Sequence, residues 1–503
     1  MSNTSEKNVT QKRSRPRRGG HMKTTKVSFF VLSLVLLLMT GLSGWAGAAD
    51  AQSGTGKTYV IGTDITFAPF EFQDVNGDFV GIDMDLLEAI AKDQNFKYQI
   101  KALGFNAAVQ ALESNQVDGV IAGMSITDER KQKFDFSDSY FDSGVVMGVS
   151  ANNDTVKSYE DLRGKKVAVK TGTEGYTFAE SVASKYGFTI VPFDDSSQMY
   201  DDVKTGNSVA CFEDFPVLAY GVDQNNGLKI VTDKEKGGSY GFAVSKGQNQ
   251  ELLEMFNTGL ANIKANGEYD RITEKYLGEN APTTATMGRW ELVQKSLPSL
   301  IKGLGNTLLY TIVSLFFAFI LGLIFGFMKV GQNKFLRGLA TVFVDVFRGI
   351  PLIVLAFFIY FGIPQALGFT MPLFLAAILT LSLNAGAYVT EIIRGGIQSI
   401  DRGQMEAARS LGLPYRKAMM KIVIPQAIRI MIPSFINQMV ITLKDTSILS
   451  VIGLVELTQS GKIVIARTFA SFDIWLTVAI MYLIVIITLT KIADHLEVKV
   501  RRG

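Results

Sequence analysis

The stretch TLLYTIVSLFFAFILGLIFGF, residues 307–327, decides how the chain is read. It carries no charged side chain, and about 20 such residues span the hydrocarbon core of a bilayer. The apolar character extends over about 304–328 and returns near 338–362, 371–393, 427–455 and 473–492. Five membrane-spanning helices are therefore expected within 303–495. The charges between them set the topology. Lys329, Lys334 and Arg337 follow the first run, and Arg394, Arg402, Arg409, Arg416, Lys417 and Lys421 follow the third. Lys491, Lys499, Arg501 and Arg502 follow the fifth. Basic loops stay on the cytoplasmic side, so residue 300 is expected outside the membrane and residue 503 inside. Gly322 and Gly326 form a GxxxG in the first run, most simply a helix-packing face.

Upstream the character changes. Residues 57–282 alternate short apolar strands, such as TYVIGTD (58–64), VDGVIAG (117–123), KKVAVKTG (165–172) and SVACFED (208–214), with helical stretches. Among the latter are DMDLLEAIAKDQ (83–94), NAAVQALESN (106–115) and ELLEMFNTGLANIKANG (251–267). This alternation implies an α/β domain with mostly parallel strands. Its length suits two lobes better than one sheet. The Pro/Thr-rich ENAPTTATMG (279–288) reads as a linker. Residues 1–26 are basic, with 8 Lys/Arg against 1 acidic residue. The apolar run Val27–Ala48 ends in the small Ala46-Gly47-Ala48. That pattern is an export signal, cleaved or kept as an anchor over 27–51. Met22 is an alternative start, which makes 1–21 an extension. The expected organisation is thus 1–26, 27–51, 57–282, a linker leading into the membrane over 283–302, 303–495, and a basic cytoplasmic tail at 496–503.

Composition supports this division. Of 503 residues 47% are apolar and only 19% charged, below the usual charge of a soluble protein. Residues 52–282 hold 21 basic and 35 acidic residues, whereas 289–503 hold 21 and 10. The basic excess flanks apolar runs, so it points to membrane topology and not to nucleic acid. One cysteine, Cys211, precludes an intrachain disulfide, and the two histidines, His21 and His495, leave no basis for a His triad or His-rich metal site. No metal and no cofactor are expected. The run Ala51–Thr58 (AQSGTGKT) mimics a phosphate-binding loop, but it follows a signal and precedes a strand. A true one follows a strand and opens a helix, so the match is read as chance. Any ATP-driven step then needs another subunit.

Five segments of the exported half are TDITFAPFEF (63–72), GIDMDLLEAIA (81–91), AGMSITDERKQKFDFSDSYF (122–141), VAVKTGT (167–173) and FEDFPVL (212–218). Together they resemble the polar amino-acid binding proteins of ABC importers. The resemblance implies a two-lobed α/β domain of the type II periplasmic-binding-protein kind with ligand in the cleft. It assigns Arg130 to the ligand's α-carboxylate, a bidentate fork being suited to that group. Asp214 takes the α-ammonium, Phe67 and Phe105 sandwich the side chain, and Gly123, Ser125 and Thr173 complete the hydrogen bonds. Asp64 and Lys170 match positions that meet a side-chain amide in glutamine binders, where the amide can donate to one and accept from the other. Glutamine is the expected substrate, with glutamate or asparagine as near relatives of it; Glu213 departs from the pattern and, with Glu174, keeps a cationic amino acid such as arginine as the alternative.

The membrane half contains GQMEAARSLGLPYRKAMMKIVIP (403–425), which resembles the EAA loop of ABC importer permeases. GNTLLYTIVS (305–314), FRGIPLIVLAFFIYFGIP (347–364), GAYVTEIIRGGI (386–397) and LKDTSILSVIG (443–453) are similar to the histidine/glutamine permease subfamily. The resemblance implies an all-α, five-helix permease of the type I kind. It places Glu406, Ala407, Ala408 and Gly412 on a cytoplasmic helix gripped by a separate ATPase. Ala407 and Ala408 are expected on one side of that helix, with Gly412 ending it. Two copies of this chain and two ATPase copies are the implied assembly, with the binding domain outside a bacterial cell membrane. Asp345 with Arg348, Glu391, and Lys444 with Asp445 are read as either path-lining charges or structural ion pairs. An amino-acid-gated ion channel is the competing class, but no TVGYG-like filter occurs. An enzyme on the same receptor fold is a further class, disfavoured by the membrane half.

Overall fold

The computed structural model describes residues 57–74, 77–278 and 288–502. The basic N-terminal segment, the signal, nearly all of the phosphate-loop mimic and residues 279–287 of the linker lie outside the described residues.

Thr58–Thr63 is the strand the first lobe is built on. It runs parallel to both Lys97–Ala102 and Gly119–Val120. Ala243–Ser245 and Phe134–Phe136 complete this five-stranded sheet. The helix Ile82–Gln94 turns Ile82, Leu86, Leu87 and Ile90 inward at helical spacing, and Asn95 ends it in a left-handed conformation. These side chains pack with Phe70, Tyr140, Phe242 and Phe256 in one core. The second lobe centres on Lys166–Lys170, parallel to Thr189–Phe193 and to Ala210–Asp214. Its core joins Val167, Val169, Leu162 and Phe212. Two crossing strands join the lobes: Phe141–Ser150 and Glu235–Tyr240, paired antiparallel with Phe141 opposite Tyr240. The expected two-lobed α/β domain is present.

The membrane half is helical. Arg289–Val330 is a single 42-residue helix that begins directly after the Pro/Thr-rich 279–288 and takes in the rest of the entry segment. It lies along Leu373–Gln398, and the GxxxG face makes this possible. A Cβ on Gly322 would stand 2.2 Å from Val389, and one on Gly326 2.8 Å from Ile393. Among the described residues four helices are long and apolar enough to cross a membrane: Arg289–Val330, Leu373–Gln398, Tyr415–Ile452 and Ser471–His495. The second apolar run differs from its expectation. It is not one straight span but Lys334–Gly349 and Leu352–Leu367, bent by 103°. Ile350 and Pro351 lie at the break, and a proline disfavours helical backbone in the residue before it. Counting the bent pair as one gives five. Large apolar side chains such as Ile312, Phe316, Leu483 and Ile484 remain exposed on these helices, as a lipid-facing surface requires.

The ionic expectations divide. Glu391 is a structural pair with Lys329 and Arg394. Among the described residues no ion pair joins Asp345 to Arg348; the Arg348 guanidinium instead lies 4.8 Å from the Tyr388 ring centre.

Candidate functional site

Three of the expected site residues sit at the carboxyl ends of strands. Asp64 follows Thr58–Thr63, Lys170 ends Lys166–Lys170, and Asp214 ends Ala210–Asp214. Crevices beyond such strand ends are where open α/β sheets bind ligands. The Lys170 ammonium reaches across the cleft to Asp64, 2.9 Å away, and both residues are 1% exposed. The other Asp64 oxygen accepts from the Ile65 and Thr66 amides and from the Thr66 hydroxyl. Burial opposes the Lys170 charge, but Asp64 outweighs it and holds the ammonium's pKa above its ordinary value. The ammonium also sits 4.4 Å from the Phe67 ring centre and 6.0 Å from that of Phe105.

Phe67, Phe105, Ala122, Gly123, Lys170, Gly172 and Thr173 line a small cavity of about 10 Å³. Gly123 and Gly172 are left-handed, with φ of 53° and 77°. A Cβ would strike Phe67 at the first and Phe105 at the second, so backbone and ring approach each other only because both are glycine. Thr173 caps the helix Glu174–Tyr186, whose first amides give this corner a positive character. Arg130 lies over the Phe105 ring at 5.2 Å. It donates to the Ser125 carbonyl at 3.0 Å and, across the cleft, to the Gly172 carbonyl. Burial draws its pKa down, against the pull of Glu174, Glu129 and Asp214.

Asp64, Arg130, Ser125 and Asp214 lie outside the lining of this cavity, which Asp64 reaches through Lys170. Asp214 is buried, with one oxygen taking the Tyr240 hydroxyl and the other, Oδ1, without a hydrogen-bond partner among the described residues. Burial first, then the neighbouring Glu213, pushes its pKa up to about 8. A carboxylate so placed lacks a cation. Glu213 is not aimed at the cavity. Its oxygens accept from Ser196, Tyr200 and the Asp214 amide.

The Gly123 amide is given to Asp83, at 2.8 Å, which leaves its carbonyl for a ligand. Asp83 also accepts from Tyr140 and is fully buried, with a pKa of about 6 raised by burial. Glu71 is buried beside it. Asp83, Glu71 and Tyr240 support the site and were not singled out from the sequence. An acidic residue in an otherwise apolar helical face, GIDMDLLEAIA, was the available signal for Asp83.

At the far end of the permease, Arg402–Ser410 is a separate helix capped by Asp401. Gly412 is left-handed at φ 86°. The Leu413 amide returns to the Ala408 carbonyl and the Gly412 amide to that of Arg409, the paired bonds of a Schellman ending. Glu406 and Ala407 are exposed, but Ala408 is buried. The two alanines therefore do not share a face, since successive helical residues point about 100° apart. Leu411 projects at the tip, 85% exposed.

Residues 59–279 match the bacterial extracellular solute-binding proteins, family 3, and 289–502 match the binding-protein-dependent transport system inner membrane component. The glutamine transport system permease protein GlnP of Escherichia coli (strain K12) is 38% identical over 209 residues, 41% of this chain and 95% of that one. The chain belongs to the ABC importers of polar amino acids. Its binding protein and its permease are fused in one multi-pass membrane polypeptide. The arginine transport system permease protein ArtQ of Bacillus subtilis (strain 168) is also similar, 36% identical over 41% of this chain and 94% of its own length. Substrate-binding domain 2 of Lactococcus lactis GlnP, solved in an open conformation, is 44% identical over 46% of this chain and 99% of that structure, with a TM-score of 0.37.

Proposed function

We propose that this importer takes up glutamine. The observation carrying this reading is the buried Lys170–Asp64 pair, whose Lys170 end lines the cavity. As a pair it presents no net charge, yet it keeps spare ammonium hydrogens and a carboxylate lone pair. A side-chain amide, which donates and accepts, complements both. A guanidinium would meet the ammonium and lose that match. Arg130, with the helix end at Thr173, takes the α-carboxylate, and the unpartnered Asp214 oxygen takes the α-ammonium. Phe67 and Phe105 supply the apolar walls, with Ser125 and the Gly123 carbonyl nearby. Arginine is the second reading, favoured by the surplus of buried carboxylates at Glu213 and Asp214.

The binding domain works outside the cell, and the basic loops and C-terminus lie in the cytoplasm. Two copies of the chain assemble with two separate ATPase subunits. These subunits seat on the exposed face of Arg402–Ser410 around Glu406 and Ala407, with Ala408 and Gly412 fixing the helix and its end. The test is calorimetric titration of the purified chain with glutamine and with arginine. Glutamine is expected to bind more tightly; tighter arginine binding overturns the assignment.

A further inference from the structure

Two acids of the first lobe are buried against each other with too few donors to serve both. Glu71 lies in the strand Glu71–Gln73, and Asp83 in the first turn of Ile82–Gln94. The Ile82 and Asp83 amides bond the Pro69 and Phe70 carbonyls, so the helix start is fastened to the backbone just before Glu71. Both side chains are fully buried. Asp83 Oδ2 accepts from the Gly123 amide and from the Tyr140 hydroxyl, each at 2.8 Å. With both acids ionised, Asp83 Oδ1 and the two Glu71 oxygens have no hydrogen-bond partner among the described residues. Two carboxylates cannot donate to each other, and a buried charge without partners is costly.

One proton resolves the conflict. Two carboxyls in one dry site share it, because like charges there do not both ionise. Asp83 has two donors and is the better anion, whereas Glu71 has none, so the proton belongs to Glu71. Its hydroxyl then donates to Asp83, and a repulsive contact becomes a hydrogen bond. The surroundings supply no other remedy. Asp64 and Lys170 face Glu71 along with Asp83, and the Lys170 ammonium is already given to Asp64. Tyr269 faces Asp83, and Tyr240 faces Tyr140; both are neutral hydroxyls. Burial first, then Asp83 and Asp64, hold the Glu71 pKa well above the usual carboxylate range.

The pair reaches the ligand site through Gly123, which lines the cavity and whose left-handed backbone stands against the Phe67 ring. Asp83 holds the Gly123 amide, and Glu71 holds Asp83. We propose that Glu71 is kept as an un-ionised acid that donates to Asp83, and that this proton-bridged pair positions Gly123 for the ligand. Neither acid lines the cavity, so both act through the glycine. The proposal rests on the importer reading for its ligand but not for its proton.

The test compares Glu71→Gln, which keeps a donor but cannot ionise, with Glu71→Met, which has neither property, in the full chain at about pH 7. The infrared difference between the parent and Glu71→Gln is expected to contain the carbonyl band of an un-ionised carboxylic acid, shifted in heavy water. Hydrogen exchange of the peptide around Gly123, measured without ligand, is expected to quicken at least about tenfold in Glu71→Met and to keep the parent rate in Glu71→Gln. Calorimetry with glutamine, and then arginine, is expected to find Glu71→Gln within about threefold of the parent and Glu71→Met at least about tenfold weaker. Absence of the acid band overturns the proposal. So does a Glu71→Gln chain that behaves like Glu71→Met, or a Glu71→Met chain that binds and exchanges like the parent. If Glu71→Met does not fold, the acid band together with parent-like exchange and binding in Glu71→Gln still decides. If the parent binds neither amino acid, the importer specificity fails, and the band and the exchange rates still decide the pair.

Discussion

The two places where this chain meets other molecules are built in opposite ways. The receptor cleft is a set of buried charges from two lobes, each held by partners: Lys170 by Asp64, Arg130 by carbonyls, Asp214 by Tyr240. The EAA helix is a short exposed element held by its ends, an Asp401 cap at one and a left-handed Gly412 at the other. A buried charge is sensitive to any loss of its partner, because water cannot replace it. An exposed helix face tolerates changes of side chain and depends on backbone geometry and shape. Substitutions in the cleft should therefore cost ligand affinity, and substitutions at the EAA helix should cost coupling and spare binding.

The sharpest break of this contrast is Lys170→Met. It leaves Asp64 with an uncompensated charge when the lobes close. Removing one partner of a buried ion pair costs about 3–5 kcal/mol, so glutamine affinity should fall by upwards of about 100-fold in calorimetry. An open cleft that hydrates Asp64 would leave the melting temperature without ligand nearly unchanged. A large drop in that temperature would make the pair a folding element instead of a closure element. Arg130→Ala comes next. Loss of a charge-assisted contact of this kind costs about 2–5 kcal/mol, an affinity loss of at least about 30-fold. Affinity within threefold of the parent would remove Arg130 from the carboxylate role.

Asp214 gives a pH test of the same burial. In the closed, ligand-free form its carboxyl is raised to about 8 by burial and by Glu213, with Glu174 adding to the rise and Lys170 and the Tyr240 hydroxyl opposing it. In an open cleft an exposed carboxyl titrates near 4. Between these values empty closure takes up a proton, so raising the pH through that window disfavours it. The limit is tenfold per pH unit. With ligand bound, the α-ammonium keeps Asp214 ionised, and the dependence should vanish. Fluorescence transfer between the lobes, measured from pH 5 to 8, should show the closed fraction falling without glutamine and steady with it. Asp214→Asn should flatten the empty curve while weakening binding.

The residues that the sequence exposed and those it hid differ in a physical way. Strand-end charges such as Asp64, Lys170 and Asp214 interrupt apolar runs, so both their presence and their place in the fold were readable. The helical permease followed from hydropathy, down to the packing of Gly322 and Gly326. What could not be read was how polar groups spend their bonds. That Gly123 gives its amide to Asp83, that Asp64 is already occupied by Lys170, and that Glu213 turns away to Tyr200 all depend on contacts between residues far apart in the chain. The break at Pro351 was hidden for a related reason. Hydropathy averages over a window and does not register a bend of 103° between two equally apolar pieces.

The smallest expected effects belong to the EAA helix, and they separate its two alanines. Ala408 is buried, so Ala408→Leu overpacks the permease itself, typically at about 1–3 kcal/mol, and should lower the chain's thermal stability. Ala407 is exposed, so Ala407→Leu should leave stability unchanged and impair only the fit of the ATPase. Gly412→Ala adds strain of order 1 kcal/mol, since no other atom stands within 4 Å of the added Cβ and only the φ of 86° opposes it. All three should leave glutamine binding within error, because they lie at the opposite end of the chain's function from the cleft. Ala407→Leu and Gly412→Ala should each reduce glutamine-stimulated hydrolysis by the partner ATPase, Gly412→Ala by a few-fold as the helix end loses its fixed direction. Unchanged stimulation in both, with normal assembly, would show that this helix is not where the ATPase takes hold, and the contrast with the cleft would then lose its cytoplasmic half.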